Sequence, residues 1–285
     1  MKKKIVLAML AGALLVSSLD GGGIGSTAPA KVGSDRAVKA QAEYQRLHPN
    51  EKFNLSDTDP EFAAMMQKYI YNDIYAQSAL APRERYLVML SVLTTAQNAK
   101  QLAVTAEEAL SAGVTPLELK EGIYHTAPYI GFAKTAEALE TVNEVLKKQH
   151  VALPLAPQGT TDDSDRFDKG LAFQVGTYGE RITKMREATP ENQKHLQDDL
   201  SAFCFGDIYT RKVLDLRQRE MITMAAIGTL GVEAQFRSHV NGTLAAGATE
   251  DEVIGAITAM NPYVGFPRTL WMLKIANECF AARHG

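Results

Sequence analysis

Two side chains in the C-terminal half of this 285-residue chain, Glu220 and His239, have the types and spacing for proton-transfer chemistry, with a glutamine, Gln235, on the same helix face as the histidine. Glu220 closes the segment Arg217-Gln218-Arg219-Glu220, and Gln235 and His239 bracket Gln235-Phe236-Arg237-Ser238-His239. Gln235 and His239 are four apart and share one face of a helix, and an antiparallel neighbour carrying Glu220 would bring its carboxylate close. A carboxylate beside an imidazole fixes its tautomer and stabilises the protonated ring, which suits a general acid. Taken alone the signal is weak, because a histidine in an amphipathic helix is more often structural and a glutamate in a charged segment is more often solvated or ion-paired. The organisation of the rest of the chain strengthens it.

That organisation is a tandem repeat at a constant offset of 134 positions. Gly113, Thr115, Glu118, Pro128, Tyr129, Gly131 and Phe132 recur as Gly247, Thr249, Glu252, Pro262, Tyr263, Gly265 and Phe266, and Asp73-Ile74-Tyr75, Leu80, Arg83 and Arg85 recur as Asp207-Ile208-Tyr209, Leu214, Arg217 and Arg219. Laying Tyr69–Leu146 over Phe203–Phe280 without gaps gives 22 identities in 78 positions, which marks an internal duplication. At the positions of Glu220, Gln235 and His239 the first copy has Tyr86, Gln101 and Thr105. The scaffold residues match while the acid–base pair occurs once, as expected when one copy keeps a site and the other supports it.

The apolar spacing predicts helices throughout. Leu87, Leu90, Ser91 and Thr94, and Met221, Met224, Ala225 and Gly228 in the second copy, step by three and four as one stripe of a helix does. The following helices are expected over about 97–112 and 232–246, closed by Gly113 and Gly247 at C′. Thr115 with Glu118, and Thr249 with Glu252, read as capping boxes opening the next helices. Pro128 and Pro262 are expected to interrupt or restart a helix, and the Tyr-x-Gly-Phe after each to let two backbones approach. With no sustained strand alternation, the fold class is all-α: two helical repeats, at 35–150 and 165–285, joined by a Pro-, Gly- and Thr-containing linker at 151–164 and related by a pseudo-twofold axis.

A formal net charge of −3 without a long basic run beyond the N-terminus argues against nucleic acid or an anionic lipid surface as partner. Lys2-Lys3-Lys4 followed by the apolar run Ile5–Val16 has the form of a secretory signal too short to span a bilayer. Residues 1–30 are therefore read as that signal, with cleavage after Ala30 or nearer Ser17-Ser18, and the mature protein as periplasmic or secreted with no membrane attachment. Cys204 and Cys279 are the two cysteines. They could pair in an oxidising compartment, although two isolated cysteines more often serve as small buried hydrophobes. His125, matched by Ala259, reads as a helix-surface or packing residue, and Met221, Met224, Met260 and Met272 as core or interface packing. No His/Cys/carboxylate grouping has metal-ligand spacing and no phosphate-binding Gly-rich loop is visible.

Leu-x-x-Arg-x-Arg-Glu at Leu214–Glu220, His239 followed by Ala245-Ala246-Gly247, Thr249-x-x-Glu252 and Tyr263-x-Gly265-Phe266-Pro267 together resemble the carboxymuconolactone decarboxylase family, which has the alkylhydroperoxidase D-like fold. Phe205-Gly206-Asp207-Ile208-Tyr209 resembles a segment of its decarboxylase branch. In the peroxidase branch, the two cysteines of a Cys-x-x-Cys would fall on Val232 and Gln235, so no peroxidatic thiolate can be built there. The resemblance implies a cofactor-independent lyase acting on a small carboxylated lactone or related acid, with His239 as proton donor, Glu220 as its orienting partner and Gln235 as a substrate contact. Arg237 and Arg268 are the candidates to hold a substrate carboxylate. Arg217 and Arg219, matched by Arg83 and Arg85, read as structural ion pairs. A non-catalytic oligomeric scaffold or small-ligand binding protein is the second reading. The resemblance also implies a homo-oligomer, with a trimer of fused pairs imitating six single units.

Overall fold

The computed structural model describes residues 35–284, so the signal expected within residues 1–30 lies outside it. The first repeat runs α1 (Asp35–Leu47), α2 (Pro60–Lys68), a π-helical stretch (Tyr69–Ile74) continuing into the single turn α3 (Tyr75–Gln77), then α4 (Pro82–Thr95), α5 (Ala99–Ser111), α6 (Pro116–Ile130) and α7 (Phe132–Lys148). The second runs α8 (Arg166–Tyr178), α9 (Arg181–Ala188), α10 (Lys194–Asp199), a π-helical stretch (Leu200–Tyr209), α11 (Leu216–Leu230), α12 (Glu233–Ala245) and α13 (Glu250–His284). The chain is all-α among the described residues, and no helix there is long and apolar enough to cross a membrane.

The two repeats share one core. α4 packs on α11, and each also packs on the long helical segment of the other repeat, α4 on α13 and α11 on α6. This reciprocity is the pseudo-twofold relation. Its consequence departs from the expected single stripe, because α4 is buried without interruption from Arg85 to Thr95 and α11 from Arg219 to Gly228. Each central helix is enclosed by its own repeat and by the other, so all of its faces are interior. Leu90, Ile222 and Met224 have no exposed surface, and burying each such side chain stabilises by about 1.5–3 kcal/mol. The four methionines Met221, Met224, Met260 and Met272 lie in this core.

Both expected capping boxes form. Thr115 Oγ1 accepts from Glu118 N at 3.2 Å while Glu118 Oε2 accepts from Thr115 N at 2.9 Å, and Thr249 and Glu252 repeat the pattern at 3.1 and 2.7 Å. A third box, Asp215 with Gln218, opens α11, the helix that carries Glu220. The prolines do not interrupt their helices: Pro128 and Pro262 lie inside α6 and α13, and the bend comes at Gly131 and Gly265, with φ of +87° and +75°. A Cβ at Gly131 would meet nothing within 4 Å, so positive φ, not close approach, requires glycine there. Close approach occurs instead between α8 and the second π-helical stretch. A Cβ on Gly170 would overlap the Ser201 carbonyl, and one on Gly206 the Arg166 carbonyl. This contact seats the end of α8 against the candidate site.

Candidate active site

Glu220 is fully buried on α11 and all of its polar atoms are engaged. Oε1 accepts from Tyr178 OH at 2.6 Å and from Tyr209 OH at 2.9 Å, and Oε2 lies 2.8 Å from His239 Nδ1. Because an ionised carboxylate only accepts, Nδ1 carries the proton and Nε2 is the ring's working atom. His239, on α12, is 14% exposed and lines a cavity of about 570 Å³ whose walls include Ile182, Met185, Leu200, Phe205 and Ile227. Tyr129, brought from the first repeat by α6, stands edge-on to the imidazole with centroids 6.0 Å apart.

A chain of hydrogen bonds with a fixed sense holds the carboxylate. Arg219 Nη1 lies 3.3 Å from His125 Nδ1, His125 Nε2 3.0 Å from Thr223 Oγ1, and Thr223 Oγ1 3.2 Å from Tyr209 OH. Arginine can only donate, so His125 accepts at Nδ1 and donates from Nε2. Tyr209 spends its proton on Glu220, so Thr223 donates to Tyr209, as does Tyr129, whose hydroxyl is 3.0 Å away. Every donor points towards Glu220, from a buried cation to a buried anion. Burial, then the charges of Arg219 and His239, hold the His125 pKa well below its ordinary value. Burial, then neighbouring groups including Glu220, raises the tyrosines, so Tyr129, Tyr178 and Tyr209 stay neutral donors. Burial lowers Arg219 to about 10, which leaves it protonated at neutral pH.

The expected site residues divide clearly. Glu220 and His239 meet, and Gln235 lines the same cavity. Arg237 is not there: it pairs with Glu278 at 2.6 Å on the outer side of α12, because positions two apart on a helix do not share a face. Arg268 is not there either. It packs its guanidinium against Gly231 and stacks on Trp271. Arg217 forms the expected ion pairs, with Glu84 and Glu252. Arg219 does not, since it bonds the carbonyls of Leu214, Ile208, Arg211 and Lys212. His125 is completely buried and belongs to the network, not to a helix surface. The cysteines are free and both buried; burial pushes the Cys204 thiol, at the cavity wall, up to about 12, so it is no nucleophile at neutral pH.

The profile of the carboxymuconolactone decarboxylase family matches the chain twice, over residues 60–144 and 194–278. The chain belongs to this family. The two matches are displaced by 134 residues, the period of the internal repeat. The 4-carboxymuconolactone decarboxylase of Acinetobacter baylyi is 27% identical over 120 residues, which span 42% of this chain and 90% of that one. The nitrosuccinic acid decarboxylase of Metarhizium robertsii is 23% identical over 128 residues, 44% of this chain and 89% of its own length. A crystal structure from Burkholderia xenovorans, provisionally assigned as a gamma-carboxymuconolactone decarboxylase subunit, superposes with a TM-score of 0.52 at 20% identity, covering 87% of this chain and 98% of that one. That likeness is one of fold.

Against this family background, Tyr209, Tyr129, Tyr178 and Arg181 escaped the sequence reading, as did Thr223 between His125 and Tyr209. Tyr209 and Tyr129 were visible only as marks of the repeat, matched by Tyr75 and Tyr263. Tyr178 was hidden by a change of register. The pairs Arg36–Asp73 and Arg166–Asp207 are equivalent, yet their aspartates are 134 apart and their arginines 130, so one helical turn separates the two copies before the constant offset begins. Arg181, the first residue of α9, lines the cavity and forms no ion pair among the described residues. Its Nη2 is 3.4 Å from Ser238 Oγ and its guanidinium lies over the Tyr178 ring.

Proposed function

We propose that this chain is a cofactor-independent carboxy-lyase acting on a small carboxylated lactone or related acid. The observation that carries the reading is the Glu220–His239 pair, saturated on its buried side by Tyr178 and Tyr209 and open at Nε2 to an apolar cavity. In this reading Arg181 holds a substrate carboxylate at the mouth. The bond to the departing carboxylate breaks, carbon dioxide leaves, and the electron pair left behind is delocalised into the lactone. The carbon then takes a proton from protonated His239 Nε2, and solvent restores that proton. Glu220 keeps the ring oriented and compensates its charge. The apolar walls favour neutral carbon dioxide over the carboxylate it replaces. Family membership supports decarboxylation as the reaction class, and the acid–base pair supports the protonation step.

A trimer of this chain and a location outside the cytoplasm belong to the same reading. Light scattering on the purified protein tests the first, and a clean monomer would refute it. The decisive experiment follows carboxymuconolactone by ultraviolet absorbance with the wild type, His239→Ala and Glu220→Gln, matched for folding by circular dichroism. Turnover lost in both variants supports the reading. Equal turnover in all three removes the site, and no turnover in the wild type removes this substrate.

A further inference from the structure

The first repeat lacks glutamate and histidine at the positions of Glu220 and His239, yet it contains a buried carboxylate–imidazole pair built from other residues. His48 Nε2 lies 2.8 Å from Glu108 Oε1, and the two side chains are 5% and 1% exposed. Tyr71 and Tyr75 donate to the same carboxylate, Tyr75 at 3.2 Å. The two halves thus exchange parts. Position 242, the match of Glu108, is glycine, and a Cβ there would overlap Glu220 Oε2. Position 86, the match of Glu220, is a tyrosine whose hydroxyl is 3.4 Å from that of Tyr75. The carboxylate fills the same space in both halves but reaches it from α11 in one and from α5 in the other. By the register that equates Arg36 with Arg166, His48 matches Tyr178, so the imidazole arrives from the end of the first helix.

We propose that this cluster floors a second ligand site, for a small carboxylic acid with a flat apolar body, seated against His48. The inference does not depend on the reaction proposed at His239. Above His48 is a cavity of about 440 Å³, walled by Tyr44, Phe53, Met66 and Ile70. Tyr44 stacks on the imidazole with centroids 4.7 Å apart. Glu108 occupies Nε2, so the nitrogen left for a ligand is Nδ1, and the chain already holds a carboxylate loosely over it: Glu51 Oε2 is 3.7 Å away on a side chain that is 66% exposed. An incoming carboxylate replaces Glu51 at this position. Burial works against the protonated ring, but the bond to Glu108 and the charges of Glu108, Glu51 and Glu107 outweigh it, so the His48 pKa is raised. On the rim, Lys100 forms no ion pair among the described residues, Lys52 is held by Asp57 at 2.9 Å, and Glu107 opposes an anion. A pair serving stability alone would gain little here, because burying two charges costs several kcal/mol per ion and apolar replacements usually do as well.

The test is a benzoate titration of the full chain labelled with ¹⁵N-histidine, read at the ring resonances and assigned with His48→Gln and His239→Gln. The expected result is a saturable shift at His48 with its own dissociation constant. Lys100→Ala, an exposed change that leaves folding intact, should weaken that constant roughly two- to fivefold, the range of an exposed ion pair. Glu51→Gln should strengthen it by a similar factor, and neither variant should alter the His239 response. A His48 resonance that does not move, that moves only in step with His239, or that both variants leave unchanged overturns the proposal. Turnover, measured separately, reports on the His239 site.

Discussion

Glu220 lies against Gly242 with its carboxylate in the space that any other residue's Cβ would fill. The glycine sits within α12 one turn from His239, so the helix must lack a side chain there for the carboxylate to reach the imidazole. Gly242→Ala is expected to push Glu220 away from Nδ1 and to lower turnover by about a hundredfold, the scale of a misplacement near 1 Å. Alanine's helix propensity returns roughly 1 kcal/mol, and overpacking costs about 1–3 kcal/mol. Urea unfolding should therefore show a net loss of at most a few kcal/mol, with the activity loss far the larger effect.

Removing the proposed proton donor has a different signature. His239→Ala should reduce kcat by roughly 10²–10⁴, the usual contribution of general acid catalysis. A solvent isotope effect on kcat in the wild type that disappears in the variant would check that the lost step is a proton transfer.

Tyr209→Phe removes one donor to a buried charge, a loss of about 1.5–3 kcal/mol, and also leaves the hydroxyls of Tyr129 and Thr223 without their acceptor. Chemical denaturation should register this as destabilisation, and turnover should fall as Glu220 loses its orientation. Tyr178→Phe removes one bond to the same oxygen without orphaning the other two groups, so it should be the milder change.

Arg181→Ala is expected to raise KM about tenfold with little change in kcat, because an anchor that holds substrate and transition state alike contributes to binding alone. Arg237→Ala and Arg268→Ala should leave both constants near wild type. Steady-state kinetics of the three variants would reverse this assignment if Arg181→Ala were silent.

His125 makes a contribution of definite sign to the pH dependence of stability. Its folded pKa is depressed, so the unfolded chain takes up a proton near pH 6.5 that the folded chain refuses. That contribution is complete above that value and falls as pH drops below it, by up to about 1.4 kcal/mol per pH unit. His48, whose folded pKa is raised, contributes with the opposite sign, its stabilisation being complete only below the unfolded value near pH 6.5. It is lost as pH rises through the folded value. Urea unfolding at pH 5 and pH 7 should show a smaller difference for His125→Gln than for the wild type.

The fold was readable because its signals are local and doubled. The threonine–glutamate boxes and the glycines after α5 and α12 act within a turn, and each occurs in both copies. The meeting of Glu220 with His239 followed from helix faces and the family resemblance. What escaped depended on register and on which face a residue takes. The four-residue shift before the π-helical stretches hid His48 and Tyr178 from an ungapped comparison. Guanidinium chemistry alone made Arg237 attractive, although its position two residues from His239 turns it outward. The complete burial of α4 and α11 arises from packing between repeats, which no spacing within one helix announces.

The exchange between Glu220 with Gly242 and Tyr86 with Glu108 limits the routes open to sequence change. A half carrying both glutamates would force two like charges into one buried space. A half carrying neither would leave its tyrosines and histidine without the anion they serve. Each single replacement is therefore a step downhill in stability, and only the paired replacement restores a working arrangement, so the two positions should behave in combination very differently from the sum of their separate effects. The duplicated halves are held apart as alternative solutions, each closed to gradual conversion into the other.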